Sequence, residues 1–231
     1  MNSKQRLLHL VFLVIVAVEL TGRITGSIQM EYWVKPLIMP WILLYFLMFR
    51  RSTDRAVLPV LAFFFSWVGD MLLMFSDRAE TFFFAGVGGF FAAQVCYILA
   101  FARRHATASA GPVQKQPAWI LPFAAYLAGI YLYLWPGLEG LMRPIILVYA
   151  LSLIGMSVMA LNRRGRVTAA GFQLVFFGSL LFVSSDSMIA LNKFRIDIPQ
   201  AGFLIMATYI LAQYLIMRGL VLEEGTPKNG N

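Results

Sequence analysis

Two aspartates within long apolar stretches are the residues of this sequence best suited to chemistry. Asp70 lies in Phe-Phe-Phe-Ser-Trp-Val-Gly-Asp-Met-Leu-Leu-Met, and Asp186 lies in Leu-Phe-Val-Ser-Ser-Asp-Ser-Met-Ile-Ala-Leu. A charged residue inside a membrane-spanning helix is costly, so it usually faces a cavity or a partner. Two such carboxyls could act as acid and counter-charge, could hold a cation, or could hydrogen-bond a neighbouring helix. The residues alone leave these three alternatives open.

The composition places these aspartates in a membrane protein. Of 231 residues, 60% are hydrophobic and 13% are charged, and the mean hydropathy is +0.74. A soluble chain is typically about half apolar and about one quarter charged. A soluble enzyme and a disordered chain are therefore excluded, and the single Cys96 excludes a disulfide scaffold. The net charge of +8 indicates basic cytoplasmic loops rather than a nucleic-acid partner.

Eight continuous apolar runs predict the elements that position the aspartates. A helical span needs about 20 mostly apolar residues, and the runs lack the alternation of barrel strands. No small-residue cleavage site follows the first run, which therefore indicates a span rather than a cleaved signal. We expect an all-α integral membrane protein, with one transmembrane domain over residues 1–222 and a polar tail over 223–231. The runs are Leu7–Leu20, Pro36–Phe49, Val57–Phe75, Thr81–Ala102, Ala118–Trp135, Leu141–Leu161, Phe172–Leu191 and Ala201–Leu222.

The basic residues predict the orientation of these eight transmembrane helices. With eight spans, 13 of the 19 Lys and Arg residues fall on the side of the termini and the even-numbered loops. Positive charge is enriched in cytoplasmic loops, so both termini are predicted to be cytoplasmic. The expected location is a cell membrane, with the bacterial inner membrane as the first candidate. The 13 residues are Lys4, Arg6, Arg50, Arg51, Arg55, Arg103, Arg104, Lys115, Arg163, Arg164, Arg166, Arg218 and Lys228.

A weak internal repeat accompanies this arrangement. Lys35-Pro36 opens the second run and Asp70 lies in the third, as Arg143-Pro144 opens the sixth run and Asp186 lies in the seventh. Four spans separate the copies, which would give a parallel four-plus-four helix repeat. A coincidence among common loop features is the alternative.

Other polar side chains are expected near the level of the two acids. Ser66 lies one helical turn before Asp70 on the same face, and Lys193 shares a face with Asp186. Lys35 and Lys193 are candidates for binding a lipid phosphate, with interfacial anchoring as the alternative. Each of the remaining polar residues could form a helix–helix hydrogen bond or line a polar pocket. They are Glu19, Gln94, Tyr97, Tyr149, Tyr209 and Gln213.

Several chemistries lack the residues they require. The two histidines, His9 and His105, are both predicted at cytoplasmic ends, so no buried cluster is available for zinc. A Gly-x-Ser-x-Gly elbow and a glycine-rich phosphate loop are both absent from the sequence. We therefore expect neither a metal nor another cofactor.

Five motifs resemble those of the lysoplasmalogenase family of multi-span membrane proteins, also called YhhN-like. The sequence departs from the family at Gln94, where the family often has histidine. The motifs are Lys35-Pro36-Leu37 with Met39-Pro40; Phe65-Ser66-x-x-Gly69-Asp70-x-x-Leu73-Met74; Phe91-x-x-Gln94-x-x-Tyr97-x-x-Ala100-Phe101; Gly178-x-Leu180-Leu181-Phe182 through Ser185-Asp186 to Asn192-Lys193-Phe194; and Tyr209-x-x-Ala212-Gln213.

The resemblance implies an enzyme that hydrolyses the vinyl ether bond of lysoplasmalogens to a fatty aldehyde and a glycerophospho-ethanolamine or -choline. Ser185 and Asn192 join the candidate substrate-binding residues through it. The reaction protonates a carbon atom, so it needs a carboxyl group that keeps its proton near neutral pH and a negative group to stabilise the cation. Asp70 and Asp186 would supply both. A proton- or cation-coupled transporter and a lipid-binding protein without turnover are the competing hypotheses.

Overall fold

The described part of the chain is helical and contains nine α-helices. The computed structural model describes residues 3–50, 56–103 and 110–223. Two 3₁₀ turns, Pro117–Ile120 and Trp135–Gly137, flank α6. The helices are α1 (Ser3–Thr25), α2 (Ile28–Phe49), α3 (Val57–Leu73), α4 (Glu80–Ala102), the single turn α5 (Pro112–Lys115), α6 (Leu121–Leu134), α7 (Met142–Leu161), α8 (Ala169–Phe194) and α9 (Ala201–Glu223).

Each of the eight predicted apolar runs overlaps one long helix. The first two helices begin four and eight residues earlier than the runs that predicted them, because polar residues add turns at their ends. Seven helical segments in the described ranges are long and apolar enough to cross a membrane. The remaining one, α3, has 17 residues. The predicted tail, the loop residues Arg51 and Arg55, and His105 lie largely or wholly outside the described ranges.

The fold is therefore that of an all-helical, multi-pass membrane protein. In a bilayer core only helices and closed barrels satisfy every backbone polar group. Large apolar side chains also cover the outer surface, as the exposure of Leu10, Leu13, Leu132 and Leu141 shows, and lipid-facing surfaces require this. The core is apolar and aromatic, with Tyr45, Phe63 and Tyr97 among its fully buried side chains.

Glycines bring two helix pairs into close contact. A Cβ atom on Gly89 would lie 3.0 Å from the Cα of Gly69, so α3 and α4 touch through their backbones. A Cβ atom on Gly178 would lie 2.9 Å from the carbonyl oxygen of Ala212, so α8 and α9 approach equally closely. Small residues permit such packing in membranes. Both aspartates are carried on these closely packed pairs, since α3 holds Asp70 and α8 holds Asp186.

Helix α6 packs differently from its neighbours. Leu134 is its one buried residue, whereas nine residues of α7 and nine of α8 are buried. A groove of about 860 Å³ runs between α6 and the two helices α7 and α8. The structure thus combines tightly packed pairs around the aspartates with one loosely held helix beside them.

Candidate active site

Asp70 is buried in a centre built from three helices. Its side chain lies on α3 and is 3% exposed. The hydroxyl of Tyr209, on α9, donates a 2.7 Å hydrogen bond to Oδ2 of Asp70. The Nζ atom of Lys35, on α2, lies 4.0 Å from Oδ1. Both carboxylate oxygens are therefore engaged, one by a neutral donor and one by a cation.

A proline in α2 helps to hold Lys35 in place. Pro40 has no backbone N–H, so the carbonyl oxygen of Pro36, four residues earlier, lacks its helical partner. The indole Nε1 of Trp67 donates a 3.1 Å hydrogen bond to that carbonyl. Trp67 lies on α3, three residues before Asp70. The Lys-Pro motif is thus joined to the aspartate motif through the carbonyl group that Pro40 leaves free.

Asp186 is buried in a second centre, which contains only neutral partners. Tyr149, on α7, donates a 2.5 Å hydrogen bond to Oδ2 of Asp186, and Gln94 Nε2, on α4, donates to the same oxygen over 3.3 Å. Ser152 in turn donates to Oε1 of Gln94. Among the described residues Asp186 forms no ion pair, and its Oδ1 atom accepts no hydrogen bond.

Aromatic rings lie between the two centres. The rings of Phe90 and Phe182 each pack edge-on against Tyr209, with centroids 5.7 Å apart in both cases. Gly69 makes room for Phe90, because a Cβ atom there would come within 2.7 Å of that ring. Phe90 also packs edge-on against Phe182, which lies on α8, the helix that carries Asp186. The aspartates therefore occupy adjacent centres rather than one shared hydrogen-bond network.

A third set of hydrogen bonds lies one helical turn from Asp70. Tyr97 donates a 2.6 Å hydrogen bond to Oε1 of Gln213, and Gln213 Nε2 donates to Oγ of Ser66 over 3.0 Å. All three side chains are fully buried. The network links α3, α4 and α9, and both amide atoms of Gln213 have a partner.

An apolar cavity reaches Asp186. It has a volume of about 60 Å³, enough for one or two water molecules. Asp186, Tyr126, Tyr149 and Ser187 supply the polar part of its lining, and Phe90 belongs to the apolar part. Asp70 is absent from that lining. The carboxyl that a ligand in this cavity would meet is thus that of Asp186.

Other predicted site residues lie elsewhere or interact with the backbone. The ammonium of Lys193 stacks on the Phe83 ring at 4.2 Å and its side chain is exposed. Ser185 donates to the carbonyl of Ile205, and Asn192 accepts from the backbone N–H of Ile198. Glu19 is fully buried and pairs with Arg23 at 3.0 Å. These contacts lie within α1, between helices or at a helix end, and none of them reaches Asp186.

Sequence reasoning missed four residues of the site. Ser152 follows Tyr149 by three residues, so helical spacing alone could have found it on the same face. The hydroxyls of Tyr126 and Ser187 form a 2.8 Å hydrogen bond beside Asp186. Neither this bond nor that of Trp67 has a signal in the sequence, because each joins distant segments of the chain.

The described residues include no group of three or more His, Cys, Asp or Glu side chains that could hold a metal ion. What the centres offer is a buried carboxyl on an apolar cavity, with neutral hydrogen-bond donors on one of its oxygens. A second, cation-paired carboxylate lies nearby. This arrangement can transfer a proton to a ligand atom in an apolar setting and can stabilise a positive charge that forms there.

These features define an all-helical membrane protein with two buried carboxyls in adjacent centres. The family model for the YhhN family matches residues 30–220, a range that includes both aspartates and all five motifs. The chain belongs to the YhhN family.

Curated relatives carry the name of one enzyme. The chain is 29% identical to lysoplasmalogenase TMEM86A of Bos taurus, over 78% of this chain and 73% of the relative. It is 29% identical to a lysoplasmalogenase of Mycobacterium bovis, over 73% of this chain and 62% of the relative. It is 32% identical to lysoplasmalogenase TMEM86B of Sus scrofa, over 65% of this chain and 58% of the relative. No solved structure matches the chain.

Proposed function

We propose that this protein is a membrane lysoplasmalogenase, which hydrolyses the vinyl ether bond of a lysoplasmalogen to a fatty aldehyde and a glycerophospho-alcohol. The observation that carries the proposal is Asp186, a buried carboxyl without an ionic partner that lines an apolar cavity. The names of the curated relatives support the same substrate. They favour an enzyme over the competing transporter hypothesis.

In this proposal Asp186 is the proton donor. Its Oδ2 atom accepts hydrogen bonds from Tyr149 and Gln94, which leaves Oδ1 to carry the proton. A buried carboxylate without a counter-ion is costly, so the acid form suits the site. Asp70 is the ionised partner, because Lys35 lies beside it and Tyr209 donates to it.

The reaction proceeds in three steps. The Oδ1 proton of Asp186 passes to the vinyl carbon farther from the ether oxygen, and the electron pair of the double bond forms the new C–H bond. The resulting oxocarbenium ion lies beside the Asp186 carboxylate, and the charge of Asp70 adds to its stabilisation. Water then adds to the cation, and the carboxylate takes the proton that the water loses. The hemiacetal finally collapses to an aldehyde and a free glycerol hydroxyl.

Hydrolysis by purified protein tests the proposal. We expect aldehyde release from an alkenyl lysophospholipid and none from the matching saturated alkyl ether, which has no double bond to protonate. In D₂O the aldehyde should carry one solvent deuterium on the carbon next to the carbonyl, provided it is reduced to the alcohol as it forms. Release of unlabelled aldehyde under these conditions would contradict carbon protonation.

Two controls sharpen the test. Asp186→Asn should abolish turnover, whereas Asp197→Asn, an exposed aspartate after α8, should leave it unchanged. Activity should also survive EDTA, because the proposed steps use carboxyl groups alone. Loss on chelation that one divalent ion restores would instead assign a metal to the reaction.

We also propose an arrangement of the helices in the membrane. It has eight transmembrane helices, and both termini lie in the cytoplasm of a bacterial cell. The acids then lie in the non-cytoplasmic half of the bilayer. The lysophospholipid would bind with its phosphate near Lys35 or Lys193 at that surface.

A further inference from the structure

The groove between α6 and α8 lies directly beside the catalytic cavity. Its lining combines the first half of α6 with α7 and the first two thirds of α8, and includes Phe123, Phe172 and Leu180. Tyr126, Ile154 and Val183 line both the groove and the cavity that reaches Asp186. The two spaces therefore meet at one wall.

From these observations we infer that the groove is the binding site for the single hydrocarbon chain of the substrate, held with its ether end at Asp186 and its methyl end toward Ala169. This inference rests on the proposed function. It assigns the groove to one extended chain rather than to a second protein or to a two-chain lipid.

The dimensions of the groove fit one chain. Its lining runs along α8 from Ala169 to Ser184, about 22 Å at 1.5 Å per residue. A chain that fills one leaflet covers about half of the ~30 Å hydrocarbon core, or ~15 Å. Measured from Asp186, such a chain passes Leu180 at about 9 Å and ends before Gln173 at about 20 Å.

The loose packing of α6 gives the chain a way in from the bilayer. With one buried residue, α6 can separate from α8 at little cost in core packing. The Tyr126–Ser187 hydrogen bond joins the two helices beside Asp186, at the junction of groove and cavity. A lipid that enters sideways must break this bond, so Tyr126 lies where the chain would pass on its way to the acid.

A single chain explains selection against two-chain lipids. The chain occupies the groove, and the cavity beyond it holds only about 60 Å³. An acyl group on the neighbouring glycerol carbon would need a second groove at the same junction, where the described structure has Phe90 and Val183. We therefore expect the restriction to lyso-lipids to arise at this junction.

Binding can be tested separately from hydrolysis. The probe is a saturated alkyl ether lysophospholipid with a photoreactive diazirine at the methyl end, which the proposed chemistry does not cleave. We expect cross-links at Phe176 or Phe123 in wild-type protein and in Asp186→Asn. An excess of unlabelled alkyl ether lysolipid should compete, and a diacyl phospholipid should not. Equal labelling of lipid-facing α1, or competition by the diacyl lipid, would overturn the assignment.

Tryptophan substitutions along α8 then test how far from Asp186 chains of different length extend in the groove. Leu180→Trp should lower cross-linking of an 18-carbon probe at least about tenfold by overpacking, with less effect on a 6-carbon probe. Gln173→Trp should affect only the longest probes. Ala170→Trp, an exposed neighbour outside the groove lining, is the matched control. If cross-linking depends on the chain length of the probe in the same way in all three variants, the assignment of the groove to the chain is wrong. If the cross-links appear but no aldehyde forms, the groove stands and the proposed chemistry fails.

Discussion

Gln94 Nε2 donates a 3.3 Å hydrogen bond to Oδ2 of Asp186, and so joins α4 to the carboxyl at the cavity. Ser152 donates to the other amide atom of Gln94, which orients the amide. Histidine, often found here in the family, could also donate from a ring nitrogen. The contact therefore indicates an orienting role at this position, which glutamine fills without moving a proton.

The first prediction follows from that contact. Gln94→Leu removes one donor to Asp186. It should lower kcat by about ten- to a hundredfold, because the contact becomes a hydrogen bond to a charged group as Asp186 gives up its proton, and such a bond contributes about 1.5–3 kcal/mol. Gln94→His should keep most of the activity. Aldehyde release by protein that elutes as folded in detergent measures both. A histidine variant as inactive as the leucine variant would argue against the orienting role.

The second prediction treats Asp70 and Asp186 as one catalytic unit. Each Asn variant should lose about 10²–10⁴-fold in turnover, because the proton donor and the stabilising charge depend on each other. The double variant should lose little more than either single one, since groups that act together are not additive. Folded yield is compared with Asp197→Asn. Normal folding with near-full turnover in either variant would rule out the paired-acid mechanism.

The third prediction separates the two lysines. Lys35 is buried beside Asp70, so Lys35→Met leaves a buried carboxylate without its cation and should destabilise the protein by about 3 kcal/mol or more. Adding Asp70→Asn should recover part of the loss in thermal unfolding. Lys193 is exposed, so Lys193→Met should leave stability unchanged and mainly raise KM. Equal stability losses in both single variants would contradict this distinction.

The fourth prediction concerns the bond between Trp67 and the carbonyl of Pro36. Trp67→Phe leaves that carbonyl without a partner in an apolar region, at a cost of about 1–3 kcal/mol. The unfolding temperature should fall, and the Lys35 contact with Asp70 should loosen. Trp33→Phe is the control, since Trp33 is 79% exposed. If Pro40→Ala, which restores a backbone donor to the Pro36 carbonyl, fails to lessen the effect of Trp67→Phe, the assignment is wrong.

The fifth prediction is the orientation in the membrane. Reporters fused after Arg51, Lys115 and Arg166 should all read cytoplasmic, because these loops carry the basic surplus. Reporters after Arg143 and Asp197 should read the opposite side. A non-cytoplasmic signal at any of the first three positions would contradict the eight-span topology.

The sequence by itself determined the class of the protein and singled out two carboxyls within its apolar helices. Continuous apolar runs place the ends of the eight long helices to within three residues, except at α1 and at the start of α2, because in a membrane the helix must satisfy its own backbone. Asp70 and Asp186 stand out for the same reason, since an apolar environment makes a buried carboxyl costly. Helical spacing also placed Ser66 and Asp70 on one face of α3.

Only the tertiary structure decided which side chains interact with each aspartate. Asp186 accepts hydrogen bonds from Tyr149 on α7 and Gln94 on α4. Asp70 instead pairs with Lys35 on α2 and accepts a hydrogen bond from Tyr209 on α9. Lys193 shares a helical face with Asp186 but stacks on Phe83 instead. These outcomes depend on how far helices can approach and rotate, which Gly69 and Gly178 settle through contacts with distant segments. Local spacing carries no information on such contacts, so the unequal partners of the two acids emerge only when the helices pack.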